Sequence, residues 1–557
     1  MPYRSPYIYT KNRAQMWRAS SLMLVISALV LLLSACTKSG TLIGNGTPAA
    51  TQVLTIPLIG ITNAPSFDPT VELDANGQIL MKMLYSGLVH TDKNLQVIPD
   101  QATWDSSSNQ KTYTFHLKSG ITFADGTAVT AQTYVDSWTY AFRSTNVSPQ
   151  IAAEAYNIVG ARALHTGQSN VLSGVRALDT HTLQVILLQP APYFLAQLAN
   201  PLFFPINQKL VTAFSGQTWP VSVVQQGVGT GPFIVKDFVP DINMSLVPNP
   251  HYYGNKLTLT QVNVNFENDA RVAYTANRNS NYDLVWNLVQ DDQLAANQLK
   301  GFTSVEQLQT DALFFNTTQA PFKSVAVRQA FAAVINKQTY AQTTMGNTVL
   351  AAGSMWPSGL SCYPYNKVSD PPSSVTAYNT AQARTLLKSA YPDQSSIPSV
   401  TFSYPTSQMT TTMATALKSM WQALPGIKIN LQPLDMESYQ QELQKHTLQF
   451  GLVNWQATFA DPYAFAEPFL ASSSNNVAQW HSSDYDRLIA QANATTGTAR
   501  QSLYSQAAQL LLKQAPVVPL DHRCMAGLIP NWIEGVVINA QGLYFGDWSG
   551  VKILSHS

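Results

Sequence analysis

Charge is scarce in this chain. Only 11% of its 557 residues are Asp, Glu, Lys or Arg, and 32 basic residues nearly cancel 31 acidic ones. That balance, with no run of Lys and Arg, removes the electrostatic footprint of a nucleic-acid binder. Cysteine is scarcer still, at three, so the chain is no disulfide scaffold. The nine histidines are scattered rather than spaced as a metal-binding pair, so neither a metal nor a cofactor is expected. No G-x-S-x-G nucleophile turn occurs. Asp435, Glu437, Glu442 and Asp461 are available for acid–base chemistry, but helix and cap positions account for the first three. No enzyme activity is expected. There is also no internal repeat at solenoid or propeller periods, and no long apolar run beyond residue 36.

The one apolar run lies at the start. Lys11, Arg13 and Arg18 precede Ser21–Leu33, which is almost wholly apolar, and Ser34 and Ala35 lead into Cys36. A charged region, a short apolar region and a small-residue cleavage zone make a secretory signal. The run falls short of the roughly 20 residues a membrane span needs. Leu33-Ser34-Ala35-Cys36 resembles the bacterial lipobox, which implies cleavage before Cys36 and acylation of its thiol, for instance by palmitate. The alternatives are an ordinary secretory signal and a retained signal anchor. Residues 1–35 are thus read as a lipoprotein signal peptide and 36–52, rich in Gly, Thr, Ser and Ala, as a flexible tether. Folding is expected to start at Val53. Cys362 and Cys524 are the remaining thiols; an oxidising compartment would let them pair if their Cα atoms lie within about 7 Å.

Roughly 520 residues beyond the cysteine call for two or three domains. Lys111–Leu117 alternates apolar and polar residues as a strand does, and Asp125-Gly126 follows as a turn. Thr130 is placed to cap a helix whose Tyr134, Val135, Trp138, Ala141 and Phe142 share a face. Its capping-box position holds Thr133 rather than Glu, so only half of that signature is present. Further helical stripes run through Val327–Ile335, Met413–Leu424 and Leu503–Leu511, and Ile427, Ile429 and Leu431 alternate as a strand. These stripes are read as core and establish a mixed α/β (α+β) architecture.

Several blocks together resemble the extracytoplasmic solute-binding proteins of peptide ABC transporters, the oligopeptide- and dipeptide-binding family. They are Phe67-Asp68-Pro69, Tyr85–Val89, Phe123–Thr127 with Trp138, Gly229–Phe233, Asn249–Gly254, and Asn316–Lys337 with Ala320-Pro321-Phe322 and Val327–Ala330. They stand in family order and span most of the chain. Gly126 and Gly231 suit positive φ or close backbone approach, and a structural role is preferred for Arg328. The resemblance implies a two-lobed, hinged fold of the periplasmic-binding-protein kind, with an extra subdomain inserted in the first lobe. Lobe one would comprise 53–90, 227–314 and 521–557, the inserted subdomain 91–226, and lobe two 315–520. It further implies a monomeric receptor on the extracytoplasmic face of the cell membrane, anchored to the bilayer through acylated Cys36. Such a receptor captures a peptide or peptide-like ligand between its lobes and delivers it to an ABC permease. The alternative is a binder or sensor of a non-peptide solute, such as a sugar oligomer or nickel complex.

Phe450–Pro462 resembles the family's cleft-lining strand and loop, which bind a peptide backbone as an added strand would. In peptide binders an acidic residue three after the tryptophan pairs with the peptide's α-ammonium. Here Trp455 is followed at that distance by Thr458, a departure that weakens or relocates free-amine recognition. Asp461 would substitute if the loop is shifted; its match to a separate acidic-Pro position favours a structural role. Asn454, Trp455 and Gln456 are further candidate ligand contacts, as is Tyr156 in the inserted subdomain. Of Phe314 and Phe315, strand alternation puts one toward the cleft and the other in the core.

Overall fold

The computed structural model describes residues 46–60, 67–70, 75–143, 155–212, 224–360 and 377–556. Cys36, the signal segment and Cys362 lie outside them, while Cys524 is buried. The expected flexible segment ends before Gln52. Ala49 donates its amide to the Ile553 carbonyl at 2.8 Å, and Gln52 exchanges two hydrogen bonds with Ile553 at 2.8 and 3.0 Å. A side chain that satisfies both backbone groups of a distant residue pins the chain there, a contact that composition alone does not announce.

The first lobe is built on a four-stranded sheet in the order Val53–Ile59, Gln261–Glu267, Asn243–Pro248, Phe233–Val239. Val262, Val264 and Phe266 alternate with less buried residues, so one face of that sheet points into the core. Helix α1 (Ala75–Leu84) packs there through Leu80, Met81, Met83 and Leu84. Its end meets the Gly229–Phe233 block at backbone distance. The Gly231 amide bonds the Leu84 carbonyl at 2.9 Å, and a Cβ on Gly231 would lie 2.4 Å from the Leu84 carbonyl carbon. Gly126 has the positive φ of its turn, +85°, and the Asp125 carboxylate accepts the Thr127 amide at 2.8 Å.

The inserted segment forms its own four-stranded sheet, in the order Ala102–Ser106, Thr112–Leu117, Thr182–Ile186, Val175–Ala177. Helix α2 (Ala131–Arg143) buries Tyr134, Trp138, Ala141 and Phe142 in that segment's core, and the Trp138 indole donates to the Phe203 carbonyl at 2.8 Å. The capping box at its start is complete after all. Thr130 donates its amide to the Thr133 hydroxyl at 3.0 Å, and the Thr133 amide bonds the Thr130 hydroxyl at 3.3 Å. A threonine hydroxyl reaches the cap amide as a glutamate carboxylate does. The core of this segment runs from Leu88 to Phe203, whereas Phe204, Ile206, Val211 and Val224 pack into the first lobe's core.

A seven-stranded sheet carries the second lobe. Its chief strands are β1 (Phe302–Phe315), β2 (Val400–Pro405), β3 (Phe450–Gln456) and β4 (Val517–Leu528). From one edge the order is Val285–Trp286, β4, β1, β3, β2, Ile429–Leu434, with Val349–Ala351 also on β4. Both β1 and β4 are long enough to reach from the first lobe's Val285–Trp286 into the heart of the second lobe. There Phe315, Phe322, Phe331, Phe402, Phe450 and Trp421 of helix α3 (Gln408–Trp421) form an aromatic core with centroids about 5 to 6 Å apart. Helix α4 (Gly497–Gln514) buries Tyr504, Ala507, Ala508 and Leu511 in the core that holds Phe314, and buried Arg328 donates to the carbonyls of Gln514 and Ala515 at its end, and to that of Phe322. A guanidinium there opposes the negative end of the helix dipole, so the role of Arg328 is structural.

Gly231→Ala should cost about 3 kcal/mol, because rigid backbone rather than a yielding side chain stands in the way. Gly126→Ala, which meets only an ordinary contact with His251 but has a left-handed φ, should cost about 1 kcal/mol. Urea midpoints of the two variants check this order; a Gly231→Ala midpoint equal to wild type would contradict it.

Candidate ligand-binding cleft

A cleft of about 1490 Å³ lies between the inserted segment and the second lobe. Tyr156 and Tyr193 stand on one wall, β3 and Tyr439 on the other, and Asp311 of β1 with Arg523 of β4 on the floor. Two walls from different parts of the chain thus face each other across strands that join them.

β3 has an unusual position in its sheet. Its inner edge pairs with β1 over its whole length, from Phe315↔Phe450 to Gln309↔Gln456. Its outer edge pairs with β2 only at Phe402↔Phe450 and Ser403↔Gly451. From Leu452 to Gln456 no described strand covers that edge, and these residues line the cleft. The Tyr439 hydroxyl donates to the Leu452 carbonyl, which marks where the open stretch begins. Such an edge is a template for a further strand.

The floor is charged. Asp311 and Asp521 face each other across the β1–β4 ladder, both almost wholly buried. Arg523 forms an ion pair with Asp311, and its Nε lies 3.8 Å from Asp521. One guanidinium thus serves two carboxylates. Burial, with the Asp311 charge beside it, holds the pKa of Asp521 well above the usual carboxylate range despite Arg523. The neighbouring His522 is buried against the Thr310 hydroxyl at 2.9 Å, and desolvation, aided by Lys337, pushes its pKa down to about 3.

The two walls touch. Tyr193 of the inserted segment stacks on Tyr463 at 4.1 Å and 8°, and Phe459 packs into the inserted segment's own core. Desolvation, together with the nearby Tyr463, raises the pKa of Tyr193 well above 10, so its hydroxyl stays neutral.

A sequence profile of the bacterial extracellular solute-binding proteins, family 5 (middle region), matches residues 96–477. The chain belongs to that family. Similar proteins include the probable deoxycholate-binding periplasmic protein YgiS of Escherichia coli (strain K12), 30% identical over 480 residues, covering 84% of this chain and 88% of that protein. The periplasmic murein peptide-binding protein MppA of the same organism is 27% identical over 532 residues, covering 93% and 95%. A solved structure of MppA in its unliganded open form superimposes with a TM-score of 0.77 at 27% identity, covering 92% of this chain and 99% of that one. The mixed α/β, two-lobed fold is therefore that of the solute-binding proteins, whose business is binding rather than catalysis.

In this family-5 cleft, Asn454, Trp455, Gln456, Thr458 and Tyr156 all line the cavity. Asn454 donates to Asp311 and accepts from Gln309 at 2.8 Å, so its side chain is tied to the floor. The Trp455 indole donates to the Ala464 carbonyl at 3.0 Å, leaving its ring half-buried in the wall. The Thr458 carbonyl accepts from Gln541 at 3.5 Å.

Three residues are not where a ligand contact belongs. Asp461 makes a buried, two-pronged ion pair with Arg500 of α4, at 2.8 and 2.6 Å, and is spent there. Phe314 and Phe315 do point to opposite faces of β1, but both faces are covered. Phe315 joins the aromatic core, and Phe314 packs with Trp356 and Tyr439 in a second one, so neither reaches the cleft. Sequence reasoning passed over Asp311, Arg523, Tyr193 and Tyr439. A signal was there for the first two: charged residues inside otherwise apolar strands seek partners across a ladder.

The Asp521 carboxyl gives a pH signature. Folded, it keeps its proton at a pH where an unfolded aspartate, titrating near pH 4, has lost it, so its contribution falls by about 1.4 kcal/mol per pH unit above that point until the folded pKa is reached. His522 acts with opposite sign between about pH 6.5 and 3, and cancels when two proteins sharing it are compared. Asp521→Asn should therefore gain on wild type as pH rises from acid to neutral. Urea midpoints at both ends of the range test this, and a constant difference would contradict it.

Proposed function

We propose that this protein is the capturing receptor of an ABC importer, taking a peptide or peptide-like solute as an added strand on β3 and passing it to a membrane permease. The observation that carries this is the uncovered edge of β3 from Leu452 to Gln456 inside the cleft. An extended ligand gains main-chain hydrogen bonds there whatever its side chains, and the wide cleft leaves room for those side chains. The murein peptide in MppA's name supports the same ligand class. Ligand that contacts both walls favours the closed population by its differential affinity, and β1 and β4 supply the hinge. The protein works as a monomer on the extracytoplasmic face of the cell membrane. Acylation of Cys36 tethers it there, which raises its effective concentration near the permease. Among the described residues no helix is long and apolar enough to cross a membrane.

A second reading, a non-peptide solute, is supported by the neutral Thr458 in the place of the amine-binding acid and by the name of the relative YgiS. Mass spectrometry of the compound that co-purifies with the protein from its own envelope separates the two. Peptides are expected; a sugar, steroid or metal complex as the sole ligand would contradict the first reading.

Thr458→Asp sharpens the test. A charged hydrogen bond contributes about 1.5–3 kcal/mol, so the variant should bind free-amine peptides at least about tenfold more tightly and N-acetylated ones no better. Calorimetric titration with such peptide pairs reads this directly. Equal gains for both forms would place the ligand's amino end elsewhere.

A further inference from the structure

Beside the main cleft, α1 and the C-terminal segment enclose a second pocket of about 130 Å³. It adjoins the cleft, since Gln78 and Gln541 line both spaces. Tyr252, Tyr544, Phe545 and Trp548 form its walls, the last two stacked at 4.1 Å. The volume holds about four waters, which is also room for one carboxylate on a short hydrocarbon stem or a single ring.

Lys82 lines this pocket and is the one charged residue of α1, a helix otherwise buried through Leu80, Met81, Met83 and Leu84. Its side chain is open to solvent, yet protein surrounds it closely enough that desolvation lowers its pKa, with no acid opposing the shift. Among the described residues Lys82 makes no ion pair or hydrogen bond. The pocket's acids are engaged elsewhere. Asp100 faces His90 at 3.6 Å and accepts from the Tyr253 hydroxyl, while Asp547 accepts from the amide and hydroxyl of Ser549 at 3.1 and 2.7 Å. An ammonium that lines a pocket, with its pKa lowered by desolvation and no partner among the described residues, is placed to receive an anion.

We propose that Lys82 is an anion anchor of the cleft, receiving a carboxylate of the ligand while the aromatic walls hold the carbon stem behind it. The proposal rests on the ligand-capturing reading of the cleft, and makes the preferred ligand an acid: a peptide's terminal carboxylate or an acidic side chain.

Calorimetric titration of the whole protein with benzoate and with neutral benzamide tests the pocket itself, using wild type, Lys82→Met and Lys82→Arg after thermal melts show all three folded. Benzoate should bind wild type at least about tenfold more tightly than Lys82→Met, and Lys82→Arg within about threefold of wild type, since a charged hydrogen bond is at stake. Benzamide should not distinguish the proteins. Tetra-alanine, its C-terminal amide and an amidated alanine peptide carrying Glu then separate the two sources, because only the form that supplies the carboxylate should lose affinity in Lys82→Met. Lys82-dependent benzoate binding without any peptide binding supports the anchor and overturns the peptide reading. Benzoate that ignores Lys82, binds no better than benzamide or does not bind wild type overturns the anchor, even where the peptides bind.

Discussion

The β1–β4 ladder is the connection on which the molecule depends. These two strands carry the chain from one lobe into the other and hydrogen-bond along most of their length, so the geometry of the cleft is set by how this ladder bends. Its register slips between Glu306 and Thr310 and again between Asp311 and Ala312. Irregularities of this kind bend a strand locally and increase its twist. The buried Asp311–Arg523–Asp521 group sits at the second slip. Removing one partner of the Asp311–Arg523 pair would leave a buried charge uncompensated, which ties the register of β4 to that of β1 at the base of the cleft.

The open edge of β3 follows from the same arrangement. β1 occupies the inner edge completely, and β2 diverges after Gly451. An uncovered edge is ordinarily a site of aggregation. Here it is sheltered between two walls that meet through Tyr193, Tyr463 and Phe459, so access is limited to what enters the cleft. Exposure of main-chain groups and protection from indiscriminate pairing are thus combined, which is what a receptor for extended ligands requires.

Much of this was legible in the sequence. The stripe of Tyr134, Trp138 and Phe142 and the glycines at 126 and 231 are local signals, and the structure places each in the role its chemistry demands. The family blocks gave the two-lobed fold because turn and cap chemistry repeats in fixed order. What was illegible depends on distant partners. Alternation correctly put Phe314 and Phe315 on opposite faces, but nothing local tells that both faces are covered. The acidic-Pro match favoured a structural role for Asp461, but nothing local names its partner, Arg500, 39 residues away in the chain. Residues 46–52 are held by a C-terminal segment that composition cannot see. Thr133 was undervalued because the capping rule names a residue type, while the geometry asks only for an acceptor within reach.

The central claim is that the ligand adds a strand to β3. Amide hydrogen exchange at Val453–Gln456, followed with and without the co-purifying ligand, tests it most directly. The account predicts that alternate amides of this stretch, those on the outer edge, slow markedly when ligand is bound. Unchanged exchange there at saturating ligand would contradict it.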